Sequence, residues 1–346
     1  MHGADGNNQG VVRVMTQNMD EGSDFQEISA ARTPLEFFAA VTTTYRNILA
    51  TKPGERAAAM ASEIQKKHPD LVALHEASIL RTRPLFAPPS ATMVKMDVIT
   101  SLLDELKTLG EHYALVTDPH SGISGTRTNL DAEAPSTLEF NVRITDRDAI
   151  IARTDIDMQT TAVEVRDFST VQTIHTPAGS IIIPGGWVSL DATIRSQPLR
   201  FVSVHLDPGP STDIQLAQAK ELVQTAGATA LPIVFGGDFN APPVNVPSNP
   251  RYKVYQALIA GGLTDAWNKD DPGFTCCQDG KLLNPDSQLS IRIDLVLYRG
   301  GSRWDFDVGN IELVGDKQAD KTPSGLWPSD HAEVVATLQG LHPEVG

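Results

Sequence analysis

The strongest constraint on this chain is where its polar residues fall relative to its strand-like runs. Four short apolar, β-branched runs end on a group able to hold a metal, a phosphate or a proton. Residues 11–18 end at Asn18, 71–76 at Glu76 and 200–205 at His205, while 231–235 run on to Asp238 and Asn240. Two later runs do the reverse: Asp294 precedes Leu295, Val296 and Leu297, and Asp330 with His331 precedes Val334 and Val335. If those two strands run antiparallel to the others, all eight groups meet at one edge of the sheets. A single strand-end Asn or Glu is usually a cap or a solvated group. For eight of them, coincidence is the weak explanation.

Helical spacing predicts helices over 34–50, 55–67, 96–109, 212–226 and 252–259. Further strands are expected over 113–117, 138–144, 149–153, 187–194 and 311–314, with a hairpin of 171–176 and 180–183 around Pro177. Residues 120–135 are rich in Ser, Gly, Thr and Asn and read as a mobile loop. No fixed-period repeat or linker is visible. The alternation of strands and helices predicts an α/β or α+β fold in one domain over 11–340, between polar tails at 1–10 and 341–346.

Hydrophobic residues at 40% and charged residues at 21% mark a globular chain, and no apolar run approaches the length of a membrane span. With 28 basic against 43 acidic residues, net charge −15, an overall basic grip on nucleic acid is absent. A local groove remains open, with Arg127, Arg143, Arg147 and Arg153 as its candidates. Cys276 and Cys277 are adjacent, and one peptide separates them less than a disulfide usually requires, so two idle thiols are expected. Residues 1–10 show no signal-peptide core, which fits a cytoplasmic start or a processed secreted or periplasmic end. Leu85 and Phe86 are expected in a packed loop rather than at a membrane.

Hard oxygen donors such as these suit Mg²⁺ or Mn²⁺, with Ca²⁺ also compatible. In an extended chain Asp238 and Asn240 point the same way, toward one ion or phosphate. Two histidines can move protons or hold charge on a phosphoryl oxygen. A carboxylate beside a histidine fixes its tautomer and raises its basicity, and Asp294 with His331 is the candidate pair. His68, His112, His120 and His175 read as surface or turn residues, and Asp265 as structural.

At these positions the chain resembles the endonuclease/exonuclease/phosphatase superfamily, which includes pancreatic-type deoxyribonucleases, abasic-site endonucleases, inositol polyphosphate 5-phosphatases and neutral sphingomyelinases. The matching stretches, in order, are TQN to Asn18, LVALHE to Glu76, VSVHL around His205, GGDFNAPP around Asp238, RIDLVLY around Asp294 and SDH to His331. The resemblance implies a four-layered α/β sandwich, with two central mixed sheets flanked by helices. It also implies hydrolysis of a phosphoester by metal-activated water. The substrate would be a small molecule, a lipid headgroup or a nucleic acid; a protein partner is not inferable.

By motif, Glu76 and Asp330 would hold metal, and Asn18 metal or phosphate. Asp238 and Asn240 would orient water and phosphate. His205 would contact a phosphoryl oxygen or protonate the leaving group. His331 with Asp294 would stabilise phosphoryl charge or move a proton, so the general base is either Asp238 or His331. Two features depart from the common pattern. His75 stands where many members have Gln, and no tyrosine-containing central motif is evident. The stretch TDRDAIIAR, ending at Arg153, instead resembles a strand of bacterial members. Its Asp148 is read as supporting His205 and the phosphate or as a surface group, and Arg292 as a phosphate ligand or half of a salt bridge.

Overall fold

The computed structural model describes residues 10–88, 90, 92–209, 211–244, 249–301 and 305–341; the expected tails lie outside them except for Gly10 and Leu341. The chain opens with β1 (Val11–Asn18), α1 (Gln26–Ala30), α2 (Pro34–Ala50), α3 (Pro53–Lys67), β2 (Leu71–His75), β3 (Ile79–Pro84), β4 (Met93–Asp97), α4 (Val98–Thr108) and β5 (Tyr113–Leu115). It continues through β6 (Thr126–Pro135), β7 (Phe140–Arg153), β8 (Met158–Asp167), β9 (Gln172–Thr176), β10 (Gly179–Ile183), β11 (Gly186–Ile194) and β12 (Gln197–His205). It closes with α5 (Thr212–Gln224), β13 (Ile233–Asp238), α6 (Tyr252–Ala260), β14 (Thr264–Asp265), β15 (Asp294–Arg299), β16 (Asp305–Val314) and β17 (Glu333–Leu341).

Local chemistry sets the helix boundaries. Thr33 and Glu36 form a reciprocal capping box on α2, and Pro34 occupies its first turn, where no backbone donor is needed. Phe37, Ala40, Val41, Thr44 and Ile48 then bury one face of α2. α3 likewise starts on a proline and carries Lys66 and Lys67 in its last turn, favourably placed against the helix dipole.

One sheet runs β16-β17-β1-β2-β7-β3-β4, with β5 and β6 also paired to β7; the other runs β14-β15-β13-β12-β11-β8. Their facing sides share a core that includes Val14, Ala73, Ile150, Val188, Phe201 and Val296. On the outside, α2, α3 and α4 pack on the first sheet and α5 and α6 on the second. The result is helix, sheet, sheet, helix, as the resemblance implies. Among the described residues, no helix is long and apolar enough to cross a membrane.

Topology places the polar strand ends together. β1 is parallel to β2, with Asn18 opposite His75, and β12 is parallel to β13, with His205 opposite Asp238. β17 is antiparallel to β1, and β15 to β13, which sets Asp294 directly against Asp238. Gly237 permits the close packing of β13, since a Cβ there would collide with the Val204 carbonyl.

Several expectations fail, each for a physical reason. Residues 126–135 are strand β6 rather than loop, because its buried positions carry Arg127 and Asn129 and so hide the usual apolar alternation. β7 is one long strand, not two, because its polar middle stays paired: Arg147 is held by the Ala77 carbonyl and Asp97, Asp148 is buried against Arg127, and Asp146 lines the cleft. The helix expected from residue 96 starts at Val98, since Asp97 caps it. Phe86 is not packed but 100% exposed. Cys276 and Cys277 are paired as a disulfide rather than left as two thiols.

Candidate active site

All eight strand-end groups converge. Asn18 Nδ2 donates to Glu76 Oε1 at 2.9 Å and to Asp238 Oδ2 at 3.3 Å, bridging the two sheets. Asp238 Oδ2 also lies 3.7 Å from His205 Nε2 and 4.0 Å from His331 Nε2. The other ring nitrogen of His331 is 2.7 Å from Asp294 Oδ2, which realises the expected pair. Ser329 Oγ donates to the Asn18 carbonyl and accepts from the His331 amide, fixing the segment before β17 against the end of β1.

Asp238 and Asn240 share the site differently from the extended arrangement expected. The backbone turns after Asp238, Asn240 adopts φ +49°, and its amide donates to Asp238 Oδ1 at 2.8 Å. Its side-chain Nδ2 is then held by the Leu206 carbonyl, 3.2 Å from His205 Nε2.

Three neighbours of the site carried no clear sequence signal. Asp20 and Glu21 follow Asn18 immediately, and Asp146 comes from the middle of β7; all three are buried and line the same cleft as Glu76, His205 and Asp330. Asp20 is placed by Arg56, which donates to the carbonyls of Met19, Asp20 and Pro328 and so ties the end of β1 to the approach to β17. The pair spacing of Asp146 and Asp148 on one strand was the available clue.

Electrostatics sharpens the picture. Burial lifts Glu21 well above the usual carboxylate range, with Asp146, Glu76 and Asp20 adding to it, and burial with Asp20 does the same to Asp330. Burial raises Asp20 too, although Arg56 opposes it. Burial and Asp294 push Asp238 up to about 6. Burial alone would lower His205 and His331, but the surrounding carboxylates outweigh it. His205 rises to about 9 through Asp238 and Asp148, and His331 rises well above its ordinary value through Asp294 and Asp330. His75 is fully buried, 3.1 Å from Ser203 Oγ, and is pushed far down by burial and by the two other histidines, so it is a neutral packing group.

These carboxylates are too many for the cations beside them. Asp20 Oδ2 is buried without a hydrogen-bond partner, and ligand atoms of Glu76, His205 and Asp238 lie within 4.8 Å of one another. An oxygen-rich, electron-rich pocket of this kind fits a hard divalent cation.

Two expected ligands are not brought to the cleft. Arg292 is nearly buried in a salt bridge to Asp265 at 2.9 Å, packs over Trp267 and does not line the cleft. Asp148 is 0% exposed, 3.6 Å from Arg127; it acts on His205 through its charge and is neither a surface group nor a phosphate contact. The basic-groove candidates are consumed as well: Arg127 by Asp148 and Asp167, Arg143 by Asp131, Arg147 by Asp97 and Arg153 by Asp155. His68 is an exposed residue beside Glu111, and Asp265 is tied up in its pair with Arg292.

Residues 47–331 match the Endonuclease/Exonuclease/phosphatase family. The chain belongs to that family. It is a metal-dependent phosphoric ester hydrolase. Among solved structures, humanized D. rerio TDP2 is 15% identical, with 95% of this chain and 99% of that one covered and a TM-score of 0.56. The mannosyl-6-phosphatase Bt3783 of Bacteroides thetaiotaomicron is 17% identical, with 95% and 99% covered and a TM-score of 0.55. A Leptotrichia buccalis endonuclease/exonuclease/phosphatase family protein is 15% identical, with 94% and 98% covered and a TM-score of 0.55. At these identities the likeness is one of fold. No curated protein sequence matches the chain.

Proposed function

We propose that this chain is a Mg²⁺- or Mn²⁺-dependent phosphodiesterase acting on a small diester, with 11–340 as its single catalytic domain. The observation that carries this reading is the line Asp294, His331, Asp238, with contacts of 2.7 and 4.0 Å, ending beside Asn18 and Glu76. Glu76 and Asp330, assisted by Asn18, would hold the cation. Bound there, it would polarise the phosphoryl oxygens and favour ionisation of water.

The chain's own groups supply the rest. Asp238, raised to about 6, takes the proton of the attacking water. As the new P–O bond forms and the bond to the leaving oxygen breaks, His205, raised to about 9, gives that oxygen its proton. His331 is kept cationic by Asp294 and stands to donate to the phosphoryl oxygen that gains charge. That protonation favours Asp238 over His331 as the base. Asn240, fixed by its turn, orients the phosphate.

Charge favours a diester. Among the described residues, the cleft lining of Glu76, His205, Asp330 and their neighbours includes no Lys or Arg. A monoester dianion or a long polyanion would meet an acidic wall there, whereas a diester carries a single charge. The test is hydrolysis of bis(4-nitrophenyl) phosphate with Mg²⁺, Mn²⁺ or EDTA, beside 4-nitrophenyl phosphate and plasmid DNA. Metal-dependent cleavage of the diester is expected, falling at least 100-fold in Asp238→Asn. Undiminished cleavage in that variant, or a preference for DNA, would overturn the reading.

A further inference from the structure

Strands β9 and β10 form a two-stranded sheet that pairs only with itself. Such a hairpin is marginal alone and needs something to pack on. Yet it holds Ile174 directly across from Ile181, followed by Ile182 and Ile183, and none of these belongs to the hydrophobic core clusters. Ile182 is 60% exposed.

Ile174, Ile181 and Ile183 face a trough of about 650 Å³ whose opposite wall includes Phe25, Phe37 and Val142. The charged groups at its rim are neutralised, Glu133 by Arg83 and Asp131 by Arg143. The trough is continuous with the catalytic cleft of about 420 Å³: Phe25, Ser29, Leu130, Ile174 and Ile183 line both. A ligand spanning the two would have an anionic head at the metal-binding end and an apolar body in the trough. Binding sites of small molecules commonly combine a mostly apolar lining with a few placed polar groups in this way. The hairpin isoleucines thus stand outside the core while the opposite wall, Phe37 and Val142, belongs to it, which leaves an apolar slot between the two.

We propose that the substrate is a phosphodiester with one hydrocarbon arm, which lies as a single chain in the trough between the β9–β10 hairpin and the α1–α2 face. The proposal rests on the phosphodiesterase reading for its polar end. Among the described residues neither lining includes Lys or Arg, and the rim's Arg83 and Arg143 are paired with Glu133 and Asp131, so the occupant is a chain rather than a further nucleotide.

The test uses methyl, butyl and octyl 4-nitrophenyl phosphates, all below their micellar concentration, with Mn²⁺. The value of kcat/KM is expected to rise roughly fourfold per methylene until the trough is filled. Ile181 lines the trough but not the cleft. Ile181→Ser should lower the octyl-to-methyl ratio about tenfold, and Ile181→Leu should restore it. Calorimetric binding of octylphosphonate against methylphosphonate provides a second readout that requires no turnover. A flat chain-length series with good methyl-ester turnover overturns the hydrocarbon arm and leaves the phosphodiesterase reading standing. Chain-length dependence seen only with vesicles or micelles overturns it too, since that reports surface adsorption. If no ester turns over but octylphosphonate binds tightly through Ile181, the trough stands and the phosphodiesterase reading falls. Equal binding of the two phosphonates removes the trough.

Discussion

Replacing Asp294 by Asn separates the two jobs its carboxylate is assigned. The residue is 1% exposed, its Oδ2 lies 2.7 Å from His331 Nδ1, and its amide is held by Thr275 Oγ1 at 3.1 Å. Asn keeps this shape and can still accept from the ring N–H, so the hydrogen bond survives without its charge. Bonds to a charged group are worth about 1.5–3 kcal/mol and neutral ones about 0.5–1.5, so the stability loss should be about 1–2 kcal/mol, a few degrees in Tm at most.

The catalytic loss should be larger, because the carboxylate holds His331 cationic where phosphoryl charge develops. Removal of one such pre-organised donor typically lowers kcat about 100- to 1,000-fold. The pH profile should move as well. Asp294 raises both His331 and Asp238, so its neutralisation shifts the basic and the acidic limb of kcat/KM toward lower pH together. The assay is diester hydrolysis with saturating Mn²⁺ from pH 5 to 10, with a melting curve on the same sample. A variant whose kcat falls less than about threefold, or whose limbs do not move, would refute the assignment of Asp294 to His331.

Other outcomes follow from the same contacts. Glu63 is 2% exposed with neither oxygen hydrogen-bonded, and burial and Asp320 raise it well above the usual range, opposed by Lys66. Its stabilising contribution is therefore full below the unfolded carboxylate pKa and is lost as pH rises through the folded one. Glu63→Gln should thus raise Tm at pH 8 and leave it nearly unchanged at pH 4, by thermal melts; a lower Tm at pH 8 would show that a cation compensates the charge. Arg127 is buried against Asp148 and donates to the Arg166 carbonyl, so Arg127→Met strands a buried carboxylate and should cost about 3–5 kcal/mol in urea unfolding. His75→Gln keeps a neutral partner for Ser203, and its kcat should stay within about threefold of the wild type.

The candidate site was legible because its polar groups sit at strand ends, where an apolar run meets one polar residue abruptly. Asn18, Glu76, His205 and Asp238 close such runs while Asp294 and His331 precede them, and strand direction then brings all six to one edge. What the pattern hid lies where strands run under the cleft. Thr145 to Asp148 interrupt the apolar rhythm of β7, and Arg127 and Asn129 that of β6, because the buried face at those points is polar. The arginines misled for a related reason: partners such as Asp97 for Arg147 lie far off in sequence, although Asp155 stands only two residues from Arg153. The trough was invisible because it forms between α1, α2, β6 and the hairpin, elements that the chain order does not place together.

The most direct test of the whole account is titration of Mn²⁺ into the wild type and Glu76→Gln, with diester hydrolysis measured on the same samples. Glu76 receives Asn18 Nδ2 at 2.9 Å, so Gln is the smallest change that removes its charge. Saturable Mn²⁺ binding in the wild type, lost with hydrolysis in the variant, is the predicted result. Equal Mn²⁺ affinity in the two proteins, or hydrolysis that persists in EDTA, would contradict the account.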